Sequence, residues 1–107
     1  MTSVERATKN ELRFREANES IEERRVELGV DERVPYLCEC EEPSCRELVR
    51  LSADEYRAAR VDDRHFLLVE GHPFRCGEIV HRADGYMVVE KQGEAAEVIE
   101  EEERGDG

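Results

Sequence analysis

Three of the four cysteines fall within eight residues, in Leu37-Cys38-Glu39-Cys40-Glu41-Glu42-Pro43-Ser44-Cys45-Arg46. The spacing is C-x-C-x4-C. Thiolates two residues apart can face one ion where the chain bends, and Pro43-Ser44 is turn chemistry that carries Cys45 back to the same side. Tetrahedral zinc takes four nitrogen or sulfur donors at about 2.0–2.3 Å, and soft thiolates select zinc over magnesium or calcium. Zn2+ is therefore the expected cofactor, in a structural site with Cys38, Cys40 and Cys45 as three ligands.

The fourth donor must come from elsewhere. His72 is the leading choice, because Gly71-His72-Pro73 breaks the chain directly after an apolar run and can aim a ring. Cys76, four residues on, is the alternative. His65 and His81 fall in segments that read as strands and weigh less. Disulfides are disfavoured by the strain of a C-x-C pair and by the reducing compartment inferred below. A redox dithiol lacks its C-x-x-C signature. Cysteines buried merely as small hydrophobes do not suit so polar a segment.

Nothing else in the chain reads as a reaction centre. There is no Ser-His-Asp set, phosphate loop or dinucleotide fingerprint. Glu39, Glu41 and Glu42 adjoin the cysteines, but in a chain with 28 acidic residues such proximity carries little weight.

The elements that must hold the cluster can be read on either side of it. Residues 3–28 predict a long helix, opened by a Thr2/Glu5 capping box and stopped at Gly29. Ala7, Phe14, Ile21 and Leu28 recur every seven residues as a narrow apolar seam. That seam either packs on its own domain or pairs with a protein partner or a second copy. Residues 30–36 read as a linker, and 47–51 as a short alternating strand. Ser52 and Glu55 form a second capping box, with Leu51 and Tyr56 as a hydrophobic staple, so a helix is expected from about Ala53 to Arg60. Strands follow at 65–70, 77–81 and 86–91, the last two joined by an Asp84-Gly85 hairpin turn.

These pieces predict an α+β fold: a long N-terminal helix, then a small zinc-stapled antiparallel sheet with one short helix. The expected divisions are an amphipathic helix over 1–29, a zinc-binding domain over 30–91 and an acidic, disordered tail over 92–107. The tail carries seven acidic side chains against one basic, half of the net charge of −12. With 38% hydrophobic residues and no Trp, the core is small, and domains of this size commonly need a staple. No basic stripe is present in the sequence, which argues against nucleic acid and against anionic membrane surfaces. The start, MTSVERATKN, lacks the apolar region of a signal peptide, and the longest apolar run, Phe66–Val69, is too short to span a bilayer. A cytoplasmic location is expected.

The cysteine segment resembles the post-SET zinc motif of lysine methyltransferases over about ten residues; nothing resembles the SET domain itself. Over a longer stretch, residues 10–93, the chain resembles short uncharacterised bacterial proteins, largely of actinobacterial type. Phe14-Arg15-Glu16, Leu37-Cys38-Glu39-Cys40, Cys45, Glu55-Tyr56, Arg64-His65-Phe66, Gly71-His72 and Asp84-Gly85-Tyr86-Met87-Val88-Val89-Glu90-Lys91 carry that likeness. It implies His72 rather than Cys76 as fourth ligand, and it implies no activity. The functional expectation is a non-enzymatic zinc-binding interaction or regulatory module. A thiol/zinc redox sensor is the alternative, and a zinc-dependent enzyme comes third.

Overall fold

A computed structural model of the chain describes residues 2–104. Helix α1 runs Ser3–Leu28, with the Thr2 hydroxyl accepting from the Glu5 amide and Gly29 closing the helix at φ 66°. Strands β1 (Val34–Leu37) and β2 (Leu48–Leu51) pair antiparallel as a ribbon, Val34 opposite Leu51 and Leu37 opposite Leu48. Helix α2 (Ala53–Ala59) follows and shows the full Ser52/Glu55 capping box. Strands β3 (His65–Val69), β4 (Gly77–Ala83) and β5 (Tyr86–Lys91) make a three-stranded antiparallel sheet in the order β3-β5-β4. Helix α3 (Gly93–Glu103) ends the described chain. The fold is α+β.

The sheet has a core on each face, because alternate side chains of a strand point to opposite sides. Leu67, Tyr86 and Val88 pack with Tyr36, Val49, Leu51, Tyr56 and Ala59 from the ribbon and α2. Phe66, Leu68, Met87 and Val89 pack with Cys38, Cys40 and Ile99. Burial on both faces explains why Phe66-Leu67-Leu68 is an unbroken apolar run. Tyr36 and Tyr56 stack at 4.4 Å between centroids.

Three expectations are corrected. The linker over 30–36 is in part a strand: β1 begins at Val34, and Pro35 is accommodated in a two-stranded ribbon that has only one partner strand. The tail from 92 is not a disordered segment over its described length. Residues 93–103 are helical, and Ala95, Ala96, Val98 and Ile99 are buried. Those four side chains are spaced for one helix face, and the four glutamates at 100–103 continue the helix while staying in solvent.

The third correction concerns the face of α1. The side chains it buries are Thr8, Glu11, Arg15, Asn18 and Arg25. The apolar seam lies to one flank: Ala7, Phe14 and Ile21 are half-buried and Leu28 is 63% exposed. The polar face is buried because each side chain on it meets a partner, with the Glu11 Oε1 atom left over. Asn18 donates to the Leu37 carbonyl (2.9 Å) and accepts from its amide (2.7 Å), joining α1 to β1. Arg15 donates to the Asp63 carbonyl and to Glu103 on α3, and its guanidinium lies over the Phe66 ring. Lys91 donates to Glu11 at 2.8 Å. Arg25 forks onto Glu22, which also accepts from the Tyr36 hydroxyl at 2.6 Å. Burial and the Glu22 bond together push the Tyr36 hydroxyl up to about 12.

Candidate metal centre

Cys38 follows directly after β1, and the segment it opens runs across the second core face. The Cys38 amide donates to the Glu47 carbonyl at 3.2 Å, and the Glu39 amide to the Leu67 carbonyl at 2.7 Å. These bonds tie the C-x-C segment to both the ribbon and β3. The chain then turns: the Cys45 amide donates to the Glu42 carbonyl at 3.1 Å, and the Glu42 carboxylate accepts from the Ser44 amide and hydroxyl. Pro43 and Ser44 thus reverse the chain and return Cys45 toward Cys40. On the other side, β3 ends at Val69, and the His72 amide donates to the Val69 carbonyl at 3.1 Å, closing a tight turn over Gly71 at φ 89°.

These two turns bring Cys38, Cys40, Cys45 and His72 together, with their ligand atoms all within 4.8 Å of one another. Donors bonded at about 2.3 Å to one tetrahedral ion stand about 3.6–3.8 Å apart, so the arrangement is close to a closed four-donor site. Cys38 Sγ is 3.3 Å from His72 Nδ1 and accepts from the Val69 amide at 3.2 Å. Cys38 and Cys40 are buried, whereas Cys45 and His72 are half-buried at the rim. Burial pushes the Cys38 and Cys40 thiols up, and the neighbouring Cys45 adds to both shifts. Three thiolates this close repel one another, so a cation among them is what would hold all three ionised. The donor set fits a soft divalent metal.

Cys76 lies outside this cluster. It occupies the left-handed region at φ 55°, and its carbonyl accepts from the Gln92 amide at 2.6 Å, so its backbone shapes the entry to β4. Gly77 comes next because a Cβ there would stand 2.7 Å from the Glu90 carbonyl oxygen. His81 is exposed and tilts against Tyr86. His65 Nε2 lies 3.3 Å from Glu90, and with Asp62 these form a second trio of close donors. The Asp62 carboxylate, however, already accepts from the Arg64 amide and side chain, bonds that hold it below its usual range.

The glutamates of the cysteine segment have three different fates. Glu39 is fully buried with both oxygens engaged. The Arg60 guanidinium spans both oxygens, Asn18 donates to Oε2 at 2.8 Å, and the Leu67 amide donates to Oε1 at 2.8 Å. Glu41 pairs with Arg75, and Glu42 caps its own turn. Glu39 is the residue positioning the cluster to which sequence reasoning gave no weight. Its signal was available only as a lone acidic side chain between two cysteines, with its partners 21 residues away on both sides.

No family model matches the chain, and neither the curated proteins nor the solved structures include a match to it. Among the described residues no helix is long and apolar enough to cross a membrane.

Proposed function

We propose that the chain is a zinc-stapled, non-enzymatic interaction or regulatory module. The observation that carries this reading is the convergence of Cys38, Cys40, Cys45 and His72 from two separate loops. Three thiolates and one imidazole are a zinc donor set, and four protein donors leave no position for a substrate. The neighbouring glutamates support a structural role too. Glu39 is locked by Arg60 and Glu42 by Ser44, so neither carboxylate is free to serve a metal-bound water as general base. The metal would join the loop after β1 to the loop after β3, a crosslink between ribbon and sheet.

The surface offered to a protein partner, or to a second copy, is the C-terminal end of α1. Val26 and Leu28 are 64% and 63% exposed, beside a shallow apolar cleft lined by Ile21, Val30 and Val34. A thiol sensor is the second reading. It is favoured by Cys45 and His72 lying at the edge of an open cavity of about 500 Å³, where an oxidant can reach the sulfur.

Elemental analysis of protein expressed with zinc should give about one zinc per chain. Cys40→Ser and His72→Ala should each lose most of it, and Cys76→Ser should keep it. Zinc-free wild-type protein, or loss in Cys76→Ser with retention in His72→Ala, would overturn the assignment.

A further inference from the structure

The chain is strongly acidic, yet four of its sixteen basic side chains surround one cavity. Arg6, Lys9 and Arg13 from α1 and Arg75 from the β3–β4 loop line an open groove of about 480 Å³, together with Asn10 and Glu41. Positions 6, 9, 10 and 13 are three and four apart, so one face of the first three turns of α1 forms the wall. Arg75 forms the opposite side and is pinned there. Its guanidinium bonds both Glu41 oxygens, at 3.0 and 3.1 Å, and the Ser3 hydroxyl at 3.2 Å. Asn10 donates to the Cys40 carbonyl at 3.3 Å, which fixes the cysteine segment against the same wall.

The charges in this groove are balanced only in part from within the protein, Arg75 by Glu41 and Lys9 by two more distant carboxylates. Among the described residues Arg6 and Arg13 have no carboxylate within 4.0 Å, and Lys9 reaches Glu5 and Glu102 only at 4.0 and 3.9 Å. The carboxylates that reach the groove, Glu5, Glu41 and Glu102, serve Lys9 and Arg75 and leave the Arg6 and Arg13 guanidinium groups over. Gathered cations repel one another, and a bound anion would relieve that repulsion.

We infer that this groove binds a small phosphate-bearing ligand through Arg6 and Arg13, with Lys9 between them and the Glu41-bound Arg75 forming the opposite wall. Guanidinium forks match the paired oxygens of a phosphate group, and the first turn of α1 adds the positive end of its dipole. The volume lies within the range of small-molecule sites, so the groove has room for a phosphate ester as well as free phosphate. The acidic surface outside the groove repels an extended polyanion, which restricts the ligand to a small one.

Heteronuclear NMR of the full 107-residue chain tests this, with inorganic phosphate and glycerol 2-phosphate titrated separately against chloride at constant ionic strength. The expected result is saturable shifts confined to residues 3–13 and the guanidinium signals of Arg6, Arg13 and Arg75. Tighter half-saturation by the ester would identify an ester ligand, and equal or tighter binding of inorganic phosphate the free ion. The double variant Arg6→Gln/Arg13→Gln should raise the half-saturation concentration at least tenfold with its metal content unchanged. Arg82→Gln, on β4 and away from the groove, should leave it as in the wild type. Non-saturating shifts, the same half-saturation in the double variant, or shifts centred on the Cys38–Cys45 loop with loss of metal would each overturn the assignment.

Discussion

Glu39 shows how a charged residue can position a candidate metal site without being one of its donors. It sits between Cys38 and Cys40, and a carboxylate there could be expected to face the cysteine–histidine cluster or solvent. Instead it turns inward and binds α1 through Asn18, the end of α2 through Arg60, and β3 through the Leu67 amide. An ionised carboxylate can be buried only when its oxygens are satisfied, and here four donors do so. The consequence is positional: the backbone flanking Glu39 on both sides is held, and with it Cys38 and Cys40. Glu39→Ala should therefore destabilise the fold by about 2–4 kcal/mol, since it takes the charge partner from a half-buried Arg60 and leaves the Leu67 amide buried without an acceptor. Urea unfolding monitored by far-UV circular dichroism measures this, and a loss under about 1 kcal/mol would show that the network contributes little.

At the scale of elements, α1 and α3 depart from what their patterns suggest. Helix α1 uses its polar face as the packing face, and α3 is a helix where charge alone suggests solvated chain. The two are linked, because α3 packs on α1 and Glu103 meets Arg15. Removal of residues 94–107 should uncover Phe66, Leu68 and Val89 and delete the buried Ile99, at a cost of at least about 3 kcal/mol. A melting temperature unchanged by the truncation would show that α3 contributes nothing to the second core. The Glu11–Lys91 pair between α1 and β5 adds a pH dependence. Burial pushes the Glu11 carboxyl up to about 7 despite Lys91 beside it, and Glu11 Oε1 has no partner. A carboxyl whose folded value is raised binds its proton more tightly in the folded state. Its contribution is present below about 4.5 and is lost as pH rises through 7. The stability of Glu11→Gln relative to wild type should accordingly rise between pH 5 and pH 8, by on the order of 2 kcal/mol. A difference that is flat or falls over that range would contradict the assignment.

The whole molecule has two modest cores sharing one three-stranded sheet, and the cysteine–histidine cluster closes the second of them. Neither core is large for a chain of 107 residues with six aromatics. Structural zinc in small peptides contributes about 10–16 kcal/mol at neutral pH, more than the usual net stability of a domain. Because the sheet belongs to both cores, losing the staple on one face should loosen the other. Chelation of the proposed zinc with EDTA should therefore lower the melting temperature by more than about 10 °C. It should also remove the near-UV signal of the stacked Tyr36–Tyr56 pair, although both rings lie on the face away from the metal. A tyrosine signal that survives while metal is lost would mean that the faces unfold independently.

What the sequence determined by itself was local. Capping residues, glycine stops and two-residue turns act over a few residues, so α1, α2 and the β4–β5 hairpin are legible with nearly their observed ends. The cysteine cluster is legible for the same reason, since Cys38, Cys40 and Cys45 need only one turn at Pro43-Ser44 to converge. What tertiary structure decided was every match between distant polar groups. Asn18 with Leu37, Glu39 with Arg60, Glu11 with Lys91 and Arg15 with Glu103 are 19 to 88 residues apart. No pattern of hydrophobicity encodes them, because a polar side chain is buried only when a specific partner is in place. For that reason the seam of Ala7, Phe14, Ile21 and Leu28 marks the packing face of α1 only at its flank, where Ile21 meets the first core. The same holds for the basic groove: Arg6, Lys9 and Arg13 look like ordinary helix-surface charges until the fold sets Arg75 and the cysteine loop opposite them.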